Sequence, residues 1–214
     1  SQQGYSGFTT WTRGLAWAVC RFAEALEYFE NIESEAFKAF IDKKELVEKL
    51  LKAAKATSDY FIEQTATDGI PYWDTGAPGL VHLGDYLNQT SDPYNDYEPI
   101  DSSAAAIAAQ GLLRLGNYLQ SKEEKNATRY TQAGLTVVKA LLSDAYLSQE
   151  SNHEGLILHS VYHRPNGWDN VPEGRKVPCH ESSMWGDYHA RELMLYLTKQ
   201  AKKETYYTFF KKQQ

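Results

Sequence analysis

The stretch Asp101-Ser102-Ser103-Ala104-Ala105-Ala106-Ile107-Ala108 gives the clearest indication of the fold. Asp101 is a favourable helix N-cap, and the small residues after it are followed by leucines at helical spacing, at Leu112, Leu115 and Leu119. Because alanine side chains are short, a helix that begins with them lets a neighbouring backbone approach closely. The sequence therefore predicts a helix near residue 101 that another part of the backbone approaches closely.

Four further long helices are predicted on either side of this stretch, because apolar residues recur there every three or four positions. They span about residues 10–29, 44–64, 123–147 and 185–203, with a short sixth helix at 34–41. The predicted N-terminal caps are Thr9 or Thr10, Asp42 with Glu45, and Ser121 with Glu124. Long helices joined by alternating short and long loops are typical of αα-hairpins. The predicted fold class is all-α.

Two long segments without helical periodicity separate these helices. Residues 70–100 contain four prolines but many aromatic side chains, which indicates an ordered and functional loop that Trp73 and Asp74 anchor. Residues 148–183 form the second such loop, with a short extended run at 156–161.

Composition excludes several classes of partner. The net charge of −6 and the pI near 5.5 argue against nucleic acid and anionic membranes, which favour a basic face. No run of about 20 apolar residues predicts a membrane span. Cys20 and Cys179 are too few for a disulfide scaffold and lie in no metal-binding spacing, so we expect buried free thiols and neither a metal nor a cofactor.

Four motifs occur in a characteristic order. They are Gln3-Gly4-Tyr5-Ser6-Gly7 with Thr10-Trp11-Thr12-Arg13-Gly14-Leu15-Ala16-Trp17, then residues 69–74, then residues 98–108, then residues 155–163 with 181–188. In this order the chain resembles the unsaturated glucuronyl hydrolases of glycoside hydrolase family 88, over essentially all 214 residues. The resemblance implies an (α/α)6 toroid, of which residues 1–214 form a single partial domain, the C-terminal part. This chain departs from the family's motifs at two positions: the family has glutamine at the position of Leu15 and an aromatic residue at the position of His189.

The resemblance also implies an activity. Enzymes of this family remove a 4,5-unsaturated uronic acid by hydrating its C4=C5 double bond: an acid protonates C4, water adds at C5, and the hemiketal that forms falls apart. The family's two essential aspartates precede the segment that matches Gln3, and we therefore expect them upstream of Ser1. The chain would then need the N-terminal half of the same toroid. Asp101 is the internal candidate acid, and its alternative role is helix capping.

Candidate substrate-binding residues follow from the same resemblance, which places Gln3, Arg13 and Trp17 in the pocket. Arg13 and Trp17 share a helix face, and a guanidinium beside a flat ring suits a sugar that carries a carboxylate. Tyr162 and His163, which follow the extended run, are predicted substrate contacts. We expect Gln3, Arg13, Trp17 and Tyr162 to meet at one rim.

Other polar residues carry weaker predictions. His159 is a minor candidate contact, and Asp187 is expected to interact with the N-terminus of the last helix. A candidate sulfate subsite comprises Arg164, Arg175 and Lys176 with Ser182 and Ser183, near Trp168; a solvated basic loop is the alternative.

Two other functions stay open. One is a non-catalytic sugar-binding half-toroid that needs a partner chain. The other is a lyase or epimerase of acidic sugars that uses Tyr162 or His163 as its base.

Overall fold

The computed structural model describes residues 2–36 and 39–206, and these residues form five α-helices, four short 3₁₀ helices and loops. The helices are α1 (Thr12–Glu30), α2 (Lys43–Glu63), α3 (Ser102–Ser121), α4 (Ala127–Leu141) and α5 (Met184–Ala201). Within the described ranges no β-strand is present, only three isolated bridges. None of the described helices is both long and apolar enough to cross a membrane.

Helices α1, α3 and α5 lie side by side and run in the same direction. At their first turns, Arg13 of α1 and Trp185 of α5 both donate a hydrogen bond to Ser103 of α3. Towards their last turns, Arg114 of α3 pairs with Glu27 of α1 at 2.5 Å. Helices α2 and α4 pack against α1 and α3 respectively, and complete two helical hairpins. The first turns of the three parallel helices thus meet at one end of the structure.

Helix α3 lies at the centre of the described structure and contributes to both hydrophobic clusters. A Cβ atom placed on Gly111 would lie 2.6 Å from the Cα of Cys20 in α1. This contact confirms the predicted close approach of another backbone to the small-residue helix. Cys20 and Cys179 are both buried free thiols, as predicted.

Three predicted helix starts differ from the structure. The N-cap of α1 is Trp11 without a side-chain hydrogen bond, so the predicted caps were wrong: Thr9 Oγ1 accepts from Ser6 and the Thr10 amide donates to Thr75. The Ser121 capping box was also wrong, because Ser121 Oγ donates to the Tyr118 carbonyl and α4 starts only at Ala127. The short sixth helix is a 3₁₀ helix at Ser34–Ala36, and residues 37–38 lie outside the described part.

Other predicted local features are confirmed. Asp42 caps α2 by accepting a hydrogen bond from the Glu45 amide. In the first long loop, Trp73 Nε1 donates to Glu98 at 2.7 Å. The buried Asp74 carboxylate accepts from the Tyr5 amide at 2.9 Å, which ties this loop to the chain just before α1. The loop is therefore a packed part of the structure.

Candidate functional site

The candidate site lies where the first turns of α1, α3 and α5 meet. Arg13 is in the first turn of α1, Asp101 is the N-cap of α3, and Ser183 is the N-cap of α5. The amino end of a helix carries a partial positive charge from its unpaired N–H groups. Three such ends at one place favour negative charge, of which the Asp101 carboxylate supplies one at the start of α3.

Arg13 joins several of the predicted site residues. Its side chain is 3% exposed. Its Nη2 donates to the Tyr162 carbonyl at 2.8 Å and to Gln3 Oε1 at 3.4 Å. Its Nη1 donates to the Val161 carbonyl and lies 3.4 Å from Asp101 Oδ2. Arg13, Gln3 and Tyr162 thus come together, but the guanidinium is already occupied by protein acceptors.

The aromatic partners of Arg13 differ from the prediction. Its guanidinium carbon lies 5.0 Å from the ring centroid of Trp11 and 4.8 Å from that of Trp185. The predicted stacking on Trp17 was wrong, because Arg21 covers that ring, at 5.7 Å. Trp17 is half-buried one turn further along α1, so its predicted contact with substrate stays a prediction.

Asp101 is fully buried, and both its oxygens have partners. Oδ1 accepts from the Ser103 and Ala104 amides at 3.1 and 3.3 Å, and from the Val161 amide at 3.4 Å. Oδ2 pairs with Arg13. The alternative interpretation, helix capping, is therefore confirmed, and Asp101 additionally neutralises Arg13.

The other predicted acids, the two aspartates expected upstream of Ser1, stay a prediction. Ser1 itself lies outside the described residues, which begin at Gln2. The first predicted site residue that the structure describes is Gln3, whose side chain accepts from Arg13.

Asp169 shapes the loop that contains Tyr162. Its carboxylate accepts from the Tyr162 amide and, at 3.1 Å, from the His163 amide. Residues 162–169 fold back as a result, and the Tyr162 ring lies 5.7 Å from Trp168 and 5.5 Å from Trp185. Asp169 was not predicted from the sequence, although the nearby glycine, Gly167, indicated a turn; in the structure its φ is +63°.

A cavity of about 390 Å³ opens beside these rings. Tyr162 and Trp168 line it and are 47% and 59% exposed. Its other lining residues are mainly polar: Ser160, Asp169, Asn170, Glu181, Ser182, Ser183, Met184 and Trp185. None of these ten lining residues is a lysine or an arginine.

The two predicted histidines are both buried. His163 packs on Trp168, with ring centroids 4.9 Å apart, and its Nδ1 has no hydrogen-bond partner among the described residues. His159 bonds through Nε2 to the Ala145 carbonyl and accepts through Nδ1 from the His180 amide. Burial lowers the pKa of His159 to about 4, so its ring is neutral near pH 7. These contacts indicate a structural role for His159.

The predicted basic cluster is not assembled at the cavity. Arg175 donates to the Tyr94 carbonyl and lies over the Tyr94 ring at 4.9 Å. Lys176 bonds to Asp96 at 2.9 Å. Both cations are held by the 92–98 loop, whereas Ser182 and Ser183 line the cavity without them. Arg164 begins a short 3₁₀ helix, Arg164–Asn166, and does not line the cavity either.

Asp187 holds a loop to α5. Its two carboxylate oxygens accept from the Leu156 and Ile157 amides, at 2.9 and 3.0 Å. Asp187 also lies in the first turn of α5, as expected, and the N-cap of that helix is Ser183, whose hydroxyl accepts from the Gly186 amide.

Comparisons with known proteins agree with these motifs. No protein-family model matches the chain. It is 29% identical over 198 residues to the unsaturated glucuronyl hydrolase of Bacillus sp. (strain GL1), across 92% of this chain and 41% of that protein. It is 27% identical over 195 residues to the unsaturated chondroitin disaccharide hydrolase of Streptococcus pyogenes serotype M1, across 91% and 39%. The solved structure of the Bacillus sp. GL1 enzyme superposes with a TM-score of 0.66 at 29% identity, across 94% and 42%.

The resemblance to the unsaturated glucuronyl hydrolases is confirmed. The structural match to these enzymes also confirms the predicted fold class, that of the helical toroid. The chain spans about two fifths of the length of the curated unsaturated glucuronyl hydrolases that it matches.

The two departures from the glucuronyl hydrolase pattern lie away from the cavity. Leu15 is partly buried against the cluster that contains α1 and α2. His189 is buried; its Nδ1 lies 2.7 Å from Gln110 Oε1, and its ring packs edge-on to Trp17 at 5.0 Å. Burial lowers the pKa of His189 to about 4. A neutral histidine therefore packs against Trp17.

Proposed function

We propose that this chain is part of a hydrolase that removes 4,5-unsaturated uronic acid from oligosaccharides of acidic polysaccharides. The observation that carries the proposal is the meeting of three helix amino ends around Arg13, beside a cavity lined by Tyr162, Trp168 and Trp185. Helix amino ends suit the uronate carboxylate, and aromatic faces suit the C–H faces of a sugar ring. A relative's solved structure, of a variant with dGlcA-Glc-Rha-Glc at 29% identity, supports this substrate class.

The proposed binding residues are Gln3, Arg13, Trp17, Tyr162 and His163. Tyr162 contacts the sugar with its exposed ring, and His163 supports Trp168 from below. Arg13 acts chiefly by position, because its guanidinium holds the Tyr162 and Val161 carbonyls and the Gln3 side chain.

We further propose that the general acid comes from outside these 214 residues. Hydration of the C4=C5 bond needs one acid to protonate C4 before water adds at C5. Asp101 is unsuited to that step, since both its oxygens are bound and it is fully buried. The family resemblance implies two aspartates upstream of Ser1, in the N-terminal half of the toroid, which is the partner that this chain needs.

The test uses the full-length protein and oligosaccharides from lyase-digested chondroitin, heparin and pectin. The expected result is loss of the ultraviolet absorbance of the conjugated uronate on at least one of them. Arg13→Gln should lower kcat/KM by roughly a hundredfold, as expected for a lost buried charge contact. Arg129→Gln, which removes two surface ion pairs between α4 and α2, is the matched control and should stay near the wild-type rate. Unchanged absorbance on all three substrates would rule the activity out.

A second candidate function is sugar binding without turnover. It is favoured because the carboxylates of Asp101 and Asp169 are already bound by protein groups and are therefore not free to act as an acid. The same experiment separates it, because it predicts binding by full-length protein with no loss of absorbance. A lyase or epimerase with His163 as its base is not supported, since His163 is only 5% exposed and packs against Trp168; the form of this alternative that uses the exposed Tyr162 stays a prediction.

A further inference from the structure

We propose that Gln110 and His189 are positioning residues of the substrate site, and that they act by fixing the ring of Trp17. This inference rests on the proposed function, in which Trp17 contacts the sugar. Three observations carry it: a buried chain of contacts from α3 to Trp17, an amide nitrogen of Gln110 that has no partner, and the unequal burial of the two groups that touch the Trp17 ring.

The chain of contacts joins the three parallel helices below the site. Gln110 of α3 is fully buried, and its Oε1 lies 2.7 Å from Nδ1 of His189 in α5. The same oxygen accepts a hydrogen bond from the thiol of Cys20 in α1, at 3.7 Å. Burial raises the pKa of this thiol, so the sulfur keeps its proton and acts as a donor. Gln110 thus presents its oxygen to both neighbours.

Gln110 fixes the state and the orientation of the His189 ring. A carbonyl oxygen beside Nδ1 requires that this nitrogen donates, so the neutral ring carries its hydrogen on Nδ1. Turning the ring about its Cβ–Cγ bond would break the hydrogen bond and leave the buried Oε1 with only the weak thiol donor. One orientation of the His189 ring is therefore favoured.

The stability of the core does not account for a glutamine at position 110. Its Nε2 is buried and has no hydrogen-bond partner among the described residues. A buried polar group without a partner costs free energy, and a leucine of similar size would avoid that cost. The feature that leucine could not supply is the hydrogen bond to His189.

The Trp17 ring touches one buried group and one exposed group. His189 is 3% exposed, and its ring lies 5.0 Å from the Trp17 ring, with 74° between the planes. The guanidinium carbon of Arg21 lies 5.7 Å from the Trp17 centroid, but the Arg21 side chain is 60% exposed. The buried ring is the better fixed of the two neighbours. The tilt of Trp17 therefore depends chiefly on His189, and that of His189 on Gln110.

A fixed tilt matters for binding a sugar. Trp17 is half-buried, so part of its ring can contact a ligand. The C–H groups of a sugar stack on an indole only when its face is turned towards them. A ring that already has this orientation saves the cost of ordering it when the sugar binds.

The first experiment measures turnover of an unsaturated chondroitin disaccharide by the full-length protein. Gln110→Leu should raise KM about five- to tenfold and leave kcat within about twofold, because a less well-ordered Trp17 weakens binding more than chemistry. Tyr130→Phe is the matched control. It removes a hydrogen bond of 3.0 Å between α4 and α2, from Tyr130 to Asp59, and should leave both constants unchanged.

A double-mutant cycle shows whether Gln110 acts through Trp17. Trp17→Ala should raise KM by about tenfold or more, and adding Gln110→Leu to it should change KM by less than about twofold further. Two independent effects would instead multiply, and that result would overturn the inference.

Fluorine NMR tests the same linkage without turnover. Full-length protein labelled with fluorotryptophan gives a resonance for each tryptophan, and the resonance that is missing in Trp17→Phe belongs to Trp17. Gln110→Leu should shift or broaden this resonance, whereas Tyr130→Phe should not. If Gln110→Leu does not fold, His189→Asn replaces it: the asparagine amide can still donate to Gln110 but has no ring, so the Trp17 resonance should change too.

The outcomes separate this inference from the proposed function. If no unsaturated disaccharide is turned over, the hydrolase activity fails, but the Trp17 resonance still tests the positioning. A change of that resonance in Gln110→Leu, together with weaker binding of the corresponding saturated disaccharide, would then support the inference. An unchanged Trp17 resonance in this variant would overturn it, whether or not the activity is found.

Discussion

Arg13 and Asp101 form a buried ion pair in which each member also binds the segment around Val161. Removing one member of a buried ion pair costs more free energy than the intact pair contributes, because the remaining charge is then buried with neither a partner nor water around it. A substitution at either residue of this pair should therefore lower the stability of the fold around the site.

Asp101→Asn should lower the free energy of unfolding by about 3 kcal/mol, since the amide keeps one cap acceptor but leaves Arg13 without a countercharge. Urea unfolding measures the loss. Asp96→Asn is the matched control: it removes an exposed pair with Lys176 and should cost far less, because water screens that pair. Equal losses in the two variants would contradict a special role for the buried pair.

His189 should make stability dependent on pH. Its folded-state pKa is about 4, below the ordinary value of 6.5, so the unfolded chain binds a proton first as the pH falls. The contribution of His189 to the free energy of unfolding should thus be fully present above pH 6.5 and decrease by at most about 3 kcal/mol towards pH 4. His159 is expected to act in the same direction.

His189→Phe tests this dependence by comparing free energies of unfolding at pH 7 and pH 5. The variant loses the hydrogen bond to Gln110, so it should be less stable at pH 7. Its stability should nevertheless fall less between the two pH values than that of the wild type. A slope as steep as the wild type's would show that His189 does not titrate as described.

The helices pack through small residues, as Gly111 shows. Its missing side chain lets α3 approach the backbone of Cys20 in α1. Gly111→Ala should destabilise by about 1–3 kcal/mol, although alanine favours helices more than glycine does. Thermal unfolding provides the measurement.

Gly134→Ala is the comparison variant for this prediction. An added Cβ there mainly meets the Leu113 side chain, at 2.8 Å, which can rotate where the backbone of Cys20 cannot yield. We expect a smaller loss of stability. A larger loss at Gly134 than at Gly111 would argue against backbone contact as the cause.

The existence of each helix was more predictable than its ends. Periodicity identified all five α-helices, because burial of one face repeats along the whole helix. The start of α4 was misplaced because Ser121 and Glu124 match a capping pattern while Ser121 bonds back into α3. Glu123 adopts φ +58°, a local conformation that this pattern does not show.

The proximity of three candidate residues was predictable, whereas most of their contacts were not. Motif order placed Gln3, Arg13 and Tyr162 together, and the structure joins them. The stacking of Trp185 on Arg13 could not be inferred, since it depends on how α5 packs against α3. Asp169 was missed because its partners are backbone amides, which no side-chain motif shows; Gly167 indicated only a turn nearby.

One side of the described structure exposes apolar groups along α5. Met184 is 84% exposed, and Tyr188 and Leu195 follow it at helical spacing around a surface groove of about 590 Å³. Exposed apolar patches of this kind favour association. The chain also spans only about two fifths of the length of its curated relatives.

The 214-residue chain by itself should therefore self-associate as its concentration rises. Sedimentation equilibrium would measure this, and Met184→Lys with Leu195→Lys should shift the chain towards monomer. Leu142→Lys, at an equally exposed leucine at the end of α4, should leave association unchanged. A monomer at every concentration, or an equal effect of Leu142→Lys, would contradict an association surface on α5.

The hydrogen bond from Arg13 to the Val161 carbonyl joins positions 148 residues apart. At ordinary rates of translation, about 5–20 residues per second, Arg13 leaves the ribosome roughly 7–30 s before its acceptor is made. During that interval its charge remains in water, whatever α1 and α2 have already formed. Assembly of this corner must therefore wait until residue 161 has been synthesised, and translation that stops before residue 161 would yield a chain with that corner unformed.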